Sequence, residues 1–145
     1  MALFGALNIS ASGLTAQRLR MDVSSANLAN AQTTQTPEGG PYRRQDVVLQ
    51  EQSGEGSFAG ALTGALGGGE PAGVEVAAIV PDTTHLRRVY EPGNPEANAQ
   101  GYVTMPNVNP VSEMTDLIDA SRSYQANVTA MQTTKQVFSK TIELL

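Results

Sequence analysis

The chain has 145 residues, which suits one ordinary domain, with no Cys or Trp, 5% aromatic residues and a formal net charge of −5 at pH 7. The absence of Cys excludes disulfides, thiolate catalysis and cysteine-ligated metals, and the acidic balance disfavours binding to nucleic acid, which attracts basic surfaces. So few aromatic residues disfavour a large aromatic core, and no stretch approaches the ~18–20 apolar residues of a direct membrane span.

The first predicted element is an N-terminal helix over residues 1–31. It lacks the basic region that precedes the apolar core of a secretory signal, so no cleavable signal peptide is predicted. Apolar residues recur at heptad spacing with polar residues between them. These apolar residues are Leu7, Leu14, Met21 and Leu28. Because Gly5 and Gly13 weaken the helix and the apolar seam is thin, we expect it to order only under a partner.

The middle section, residues 32–108, is predicted to hold short strands and loops. A run of Pro and Gly at 37–41 separates it from the N-terminal helix. Residues 53–72 contain seven glycines and little charge, which predicts a flexible loop. Strand-like patterns bounded by turn residues or proline lie at 42–51, 74–80, 86–90 and 102–105.

A long helix is predicted over residues 109–145. Asn109 suits an N-cap, Pro110 suits the first helical position, and Glu113 and Asp116 suit the positive end of the helix dipole. Apolar side chains then hold one heptad phase for over four heptads. They include Met114, Leu117, Tyr124, Val128, Met131, Phe138 and Ile142. This narrow stripe predicts a coiled-coil seam, and the N-terminal helix is the first candidate partner.

The sequence offers little to a catalytic or ligand-binding hypothesis. His85 is the only histidine, and the glycines at 67–69 are not followed by the Lys-Ser or Lys-Thr of a phosphate-binding loop. We therefore predict no catalytic, cofactor-binding or metal-binding residue and no cofactor. The basic pairs 43–44 and 87–88 have two open interpretations, as solvated surface or as contact points for acidic neighbouring subunits.

Four motifs nevertheless carry a family resemblance. They are NLANA at 27–31, GGPYRR at 39–44, the segment 91–109 that begins EPGNP, and ASRSYQANV at 120–128. In this order they resemble the axial proteins of the bacterial flagellum, which form the rod, the hook and related structures, and they are similar to a proximal rod protein. The resemblance covers residues 1–52 and 73–145, although Asn94 stands where His is more usual and 53–72 matches nothing in the family.

The resemblance implies a structural protein and not an enzyme. Members are exported unfolded through the flagellar type III export apparatus and polymerise into the drive shaft of the basal body, which crosses the periplasm and transmits torque for motility. The implied fold is mainly α with a small β section, in which the N- and C-terminal helices form an antiparallel coiled coil. The implied partners are further copies of the chain, other proximal and distal rod proteins, the rod-base adaptor and the export apparatus.

Two sets of residues are expected to serve assembly. We expect Leu7, Leu14, Met21 and Leu28 to face Tyr124, Val128, Met131 and Phe138, with Met114, Leu117 and Ile142 on the same seam. The family motifs supply a second set, expected to contact other subunits: Asn27, Asn30, Pro41, Tyr42, Arg43 and Arg44. For the two asparagines, a helix C-terminal turn is an equal alternative, because Asn tolerates the left-handed conformation and can cap a helix. For Tyr42, Arg43 and Arg44, the start of a strand is the open alternative.

Other functions remain open at this stage. The chain could be a different rod protein of the same family, disfavoured by the segment 41–44 and the short β section. It could also be a soluble helical binding module such as an export chaperone, whose termini would be ordered in the free monomer. A small periplasmic enzyme would need a convergent polar site, and the sequence pattern offers none.

Overall fold

A computed structural model of the chain describes residues 2–52 and 73–143, with side chains from residue 5 onward. Two long helices lie at the ends of the described chain, with four short strands between them. The elements are α1 (Ala2–Ala29), β1 (Gln45–Glu51), β2 (Val74–Pro81), β3 (Arg87–Tyr90), β4 (Tyr102–Met105) and α2 (Pro110–Glu143). Strands β1 and β2 form one two-stranded sheet, and β3 and β4 form another.

This architecture confirms the mainly α fold with a small β section. Strand β4 has its predicted bounds, whereas β1 begins three residues later than expected. Two backbone N–H groups before β1 are not available for strand pairing. The Tyr42 N–H donates to the Thr33 carbonyl, and the Arg44 N–H donates to the Asn107 side chain. The predicted loop 53–72 lies outside the described residues. The division at 31 and 108 and the coiled-coil packing stay predictions.

The start of α2 confirms the predicted cap. The Asn109 side-chain oxygen accepts a hydrogen bond from the Val111 N–H at 3.1 Å, and its carbonyl accepts the Glu113 N–H at 3.1 Å. Pro110, which has no N–H to satisfy, takes the first helical position. Hydropathy along both described helices stays too low for either to span a bilayer.

The chain divides into two compact units, and the boundary falls within both helices. One unit, here called the terminal unit, comprises the described parts of 1–19, 48–78 and 120–145. In it, Ala16 and Ala120 are buried. A Cβ placed on Gly13 would lie 3.0 Å from the Asn127 amide nitrogen, so α2 passes close to α1 at this glycine. Small side chains therefore set the approach of the helices in the terminal unit.

The other unit, here called the hub unit, comprises residues 20–47 and 79–119. Strands β3 and β4 pair antiparallel, with Val89 opposite Val103, and Val103 is only 1% exposed. Gly101 closes the connection at φ +80°, and a Cβ there would lie 2.8 Å from the Tyr90 ring, so the position requires glycine. Val23, Ala31, Pro106 and Val108 complete the small core of this unit.

Candidate functional site

The centre of the hub unit is the side chain of Asn27, which is 1% exposed. Its amide nitrogen donates to the Gln45 carbonyl at 2.8 Å and to a Glu113 carboxylate oxygen at 3.1 Å. Its amide oxygen accepts from the Tyr42 hydroxyl at 3.0 Å and from the Gln45 N–H at 2.9 Å. All four hydrogen-bonding positions of the amide are thus filled within one chain.

Glu113 lies beside this amide and is 0% exposed. One carboxylate oxygen accepts from Asn27, and the other accepts from the Arg44 guanidinium at 2.6 Å. Asp116 and Asp46 approach the same guanidinium at 3.4 and 3.8 Å. Because a buried carboxylate is stable only when paired and hydrogen-bonded, the arginine and the amide together make its burial possible.

We call the set Asn27, Tyr42, Arg44, Gln45 and Glu113 the Asn27–Glu113 network. The pKa of the Arg44 guanidinium is raised, mainly by its hydrogen bond to Glu113. The pKa of the Tyr42 phenol is also raised, first by burial and then by the negative charge of Glu113. Both shifts favour the protonation states in which the network holds together at neutral pH.

Backbone contacts extend the network to the ends of β1 and β2. The Arg44 N–H donates to the Asn107 side chain at 2.9 Å, and the Arg44 carbonyl accepts the Asp82 N–H at 2.7 Å. Asn107 in turn donates to the Thr84 hydroxyl at 2.9 Å. The network therefore joins the end of α1, the start of β1, the end of β2 and the start of α2.

The Asn27–Glu113 network holds together the end of α1, the start of β1 and the start of α2. Its donors and acceptors bind one another, and the carboxylate is neutralised by a guanidinium. No group of three or more His, Asp or Glu side chains within 2–52 and 73–143 is placed to hold a metal ion. The geometry fixes the end of α1 to the start of α2.

Three of the six motif residues meet in this network, and three do not. Asn27, Tyr42 and Arg44 lie together. Asn30 instead bonds the end of its own helix, through its amide nitrogen to the Ala26 carbonyl at 2.9 Å. Arg43 donates to the Asp82 carbonyl at 3.4 Å, and Pro41 lines a cleft beside β4.

Neither Asn27 nor Asn30 adopts a left-handed conformation, because no non-glycine residue of the described chain has a positive φ. Asn30 does lie in the turn that follows α1, where its side chain bonds a carbonyl of the last helical turn, as the alternative of a C-terminal turn predicts. Contacts of the motif residues to other subunits stay a prediction. For Asn27, the single chain already fills every hydrogen bond of the amide.

The predicted seam residues are unevenly covered. Seven of them are half-buried: Leu7, Leu14, Met21, Leu28, Leu117, Val128 and Met131. Four on α2 are exposed: Met114, Tyr124, Phe138 and Ile142. The seam of α1 is therefore more covered than that of α2, and the role of both in assembly stays a prediction.

The residue that sequence reasoning missed is Glu113, which was assigned only a favourable interaction with the helix dipole. A capping box would place a glutamate at the third helical position, and Ser112 stands there. Glu113, one position later, is free to turn toward Asn27. The sequence did contain a signal for this pairing. Glu113 directly follows the capping-box position, and Arg44, a possible partner of opposite charge, lies in a family motif.

Comparison with known proteins adds two matching family profiles. Residues 7–35 match the profile described as flagella basal body rod protein, and residues 99–144 match the one described as flagellar basal body rod FlgEFG protein C-terminal. The first match contains Asn27, and the second contains Glu113. Asn27 and Glu113 thus lie in separately recognised segments, and the other three residues of the network lie between the two matches.

Whole-chain relatives are also found. The chain is 49% identical to the flagellar basal-body rod protein FlgC of Bacillus subtilis, over 99% of both chains. It is 42% identical to that of Borreliella burgdorferi, over 100% of this chain and 99% of the relative. It is 44% identical to that of Escherichia coli O157:H7, over 99% of this chain and 98% of the relative.

Proposed function

The chain belongs to the FlgC family of flagellar basal-body rod proteins, and from this premise we propose that it builds the proximal part of the rod. It is a structural subunit of the basal-body rod and associates with other rod components. The observation that carries this function is similarity to FlgC proteins over 99% or more of the chain. No residue is assigned a catalytic role.

In the finer proposal, the chain polymerises with itself and with other rod proteins into the drive shaft that crosses the periplasm. Apolar side chains on the outer surface of α2 support this role, since Val111, Ile118 and Val137 are exposed in the single chain. Neighbouring subunits would bury such side chains, and head-to-tail contacts that do not close into a ring generate a helical tube. Passage through the type III export apparatus belongs to the same proposal.

An antiparallel pairing of α1 and α2 is the proposed basis of the shaft. Each unit supplies one close approach of the two helices: Gly13 to Asn127 in the terminal unit and Asn27 to Glu113 in the hub unit. In each unit, considered by itself, a residue of α1 thus meets a residue of α2, which supports the coiled coil implied by the family resemblance. The pairing of Gly13 with Asn127 gives the register proposed for the terminal unit.

Cysteine cross-linking tests this register cleanly, because the chain has no cysteine of its own. The pair Gly13→Cys and Asn127→Cys is expected to form an intramolecular disulfide, since a bridge needs Cβ atoms about 3.5–4.5 Å apart. The control pair Gly13→Cys and Ser123→Cys, one turn away, should remain reduced. Equal cross-linking of the two pairs would contradict the register.

The role itself is tested by quantitative protein inventory of basal bodies purified from the native bacterium. A fixed ratio of several copies per basal body is expected, together with loss of motility when the gene is deleted. Absence of the chain from basal bodies, with an abundant soluble pool, would overturn the rod assignment and favour an export chaperone.

A further inference from the structure

We propose that the outer face of the β3–β4 hairpin is a docking surface for the acidic β1–β2 strand pair of a second copy of this chain. This surface, here called the basic-aromatic face, consists of Arg88, Tyr90, Tyr102 and Thr104, flanked by Arg43 and His85. The inference rests on the proposed function, because it assigns one of the contacts by which rod subunits would assemble.

The register of the hairpin defines the face. Arg88 lies opposite Thr104, and Tyr90 lies opposite Tyr102, so these four side chains share one side of the sheet. The two tyrosine rings meet edge to face at 5.2 Å, yet Tyr90 is 62% exposed and Tyr102 is 44% exposed. The opposite side of the same hairpin carries Val103, which is buried. Solvent-exposed tyrosine beside arginine is the composition enriched at protein interfaces.

A cleft of about 440 Å³ adjoins this face and concentrates its basic groups. Arg43, His85 and Arg88 line it together with Thr104. Every ion pair among residues 2–52 and 73–143 involves Arg44, so Arg43 and Arg88 form none there, although the charge of Arg43 helps to lower the pKa of the Asp82 carboxyl. Arg43 donates only to a backbone carbonyl, that of Asp82. Two guanidinium groups and an imidazole in one cleft suit an acidic ligand.

The same chain supplies a matching acidic partner. Between Arg44 and Arg87 the sequence has six Asp or Glu residues and no Lys or Arg, and three of the six, Asp46, Glu51 and Glu75, lie on β1 or β2. Two of these carboxylates, Glu51 on β1 and Glu75 on β2, are exposed. Complementary charge steers association and fixes its register. Because the two surfaces differ, the contact is head-to-tail and can repeat from copy to copy.

The test compares two adjacent arginines with opposite orientations. Arg88→Glu reverses the charge of the basic-aromatic face, whereas Arg87→Glu makes the same change at an exposed residue on the other side of β3. Each variant replaces the native gene, and its amount in purified basal bodies is measured. We expect Arg88→Glu to fall at least tenfold and Arg87→Glu to match the wild type. Equal incorporation of the two variants would overturn the inference.

A charge reversal across copies supplies the second measurement. A chain that carries Arg88→Glu with Glu51→Arg and Glu75→Arg restores opposite charges between neighbours, so its incorporation should recover severalfold over Arg88→Glu alone. Failure to recover would overturn the choice of the β1–β2 pair as the occupant. This test can be told apart from the test of the rod assignment. If the wild-type chain is absent from basal bodies, the proposed function is rejected. If the wild-type chain is present and Arg88→Glu is incorporated equally well, only this docking surface is rejected.

Discussion

The hub unit buries a carboxylate, whereas the buried side chains described in the terminal unit are those of alanine. In the hub unit, Glu113 is 0% exposed and has two charged or amide partners from distant parts of the chain. In the terminal unit, the described buried residues include Ala16 and Ala120, and Ile142 is 56% exposed. The buried contacts of the hub unit include directional hydrogen bonds and an ion pair, whereas those described in the terminal unit are made by small side chains.

The difference shows how one chain can combine a buried network that is complete by itself with exposed apolar surface that neighbouring subunits would cover. Buried hydrogen bonds and ion pairs specify a single geometry, because removing any partner strands the others. Exposed apolar side chains specify no partner and become favourable only when another surface covers them. We therefore expect changes in the buried Asn27–Glu113 network to alter the single chain, and changes of exposed side chains in either unit to alter assembly.

The largest effect is expected from Glu113→Leu. Loss of the carboxylate leaves one N–H of the Asn27 amide without its partner and removes the closest partner of Arg44. Breaking a buried pair typically destabilises by about 3 kcal/mol or more. Urea unfolding followed by circular dichroism would measure the free energy of unfolding. Asp119→Leu, at an exposed acid of the same helix, should change it by less than about 0.5 kcal/mol. Similar values for both variants would remove the energetic contrast between the units.

Asn27→Ala is expected to lower the free energy of unfolding by about 2 kcal/mol, because four partner atoms lose their hydrogen bonds. Asn30→Ala loses contacts at an exposed helix end and should stay within about 1 kcal/mol. The same unfolding measurement compares them. If Asn30 proved the more damaging site, the role of the Asn27–Glu113 network as the centre of the hub unit would be wrong.

A pH dependence is expected from Tyr42. Its pKa in the folded chain is raised above the usual value of 10.0 by burial and by Glu113, so folding favours the neutral phenol. The stabilisation is complete below pH 10 and is lost as the pH rises through the folded-state pKa. Tyr42→Phe should therefore make the decline of stability above pH 10 less steep than in the wild type. An unchanged slope in pH-dependent unfolding would contradict this coupling.

The smallest effect on the single chain is expected from Ile142→Ala. Because the side chain is exposed, the free energy of unfolding should change by less than about 0.5 kcal/mol. Its amount in purified basal bodies should nevertheless fall, if neighbouring subunits cover this part of α2. Normal incorporation would show that the exposed apolar surface near Ile142 serves no contact in the rod.

Local signals predicted the helices well and long-range contacts poorly. Asn109 and Pro110 mark the start of α2, and the heptad spacing of apolar residues predicts that the helix continues. Gly13 counted against α1 in the sequence, yet it lies where Asn127 comes near, so its lack of a side chain serves packing. Helix propensity describes only an isolated helix. The contribution of Gly13 to packing depends instead on Asn127, which lies 114 positions later in the chain.

The candidate site was predicted in its parts but not in its connection. Asn27, Tyr42 and Arg44 were singled out from family motifs, and their expected contacts were with other subunits. The structure joins them to Glu113 within one chain, across 86 residues for Asn27 and 69 for Arg44. Periodicity and capping rules reach only a few turns, so no local pattern relates these positions.

The separation of Asn27 from Glu113 also imposes an order of events on a chain that emerges gradually, whether from a ribosome or from a narrow channel. Asn27 appears early, but the carboxylate that completes its hydrogen bonds follows 86 residues later. The hub unit can fold completely only after most of the chain has emerged, so its folding is a late step. Until Glu113 has emerged, the end of α1 cannot complete its hydrogen bonds.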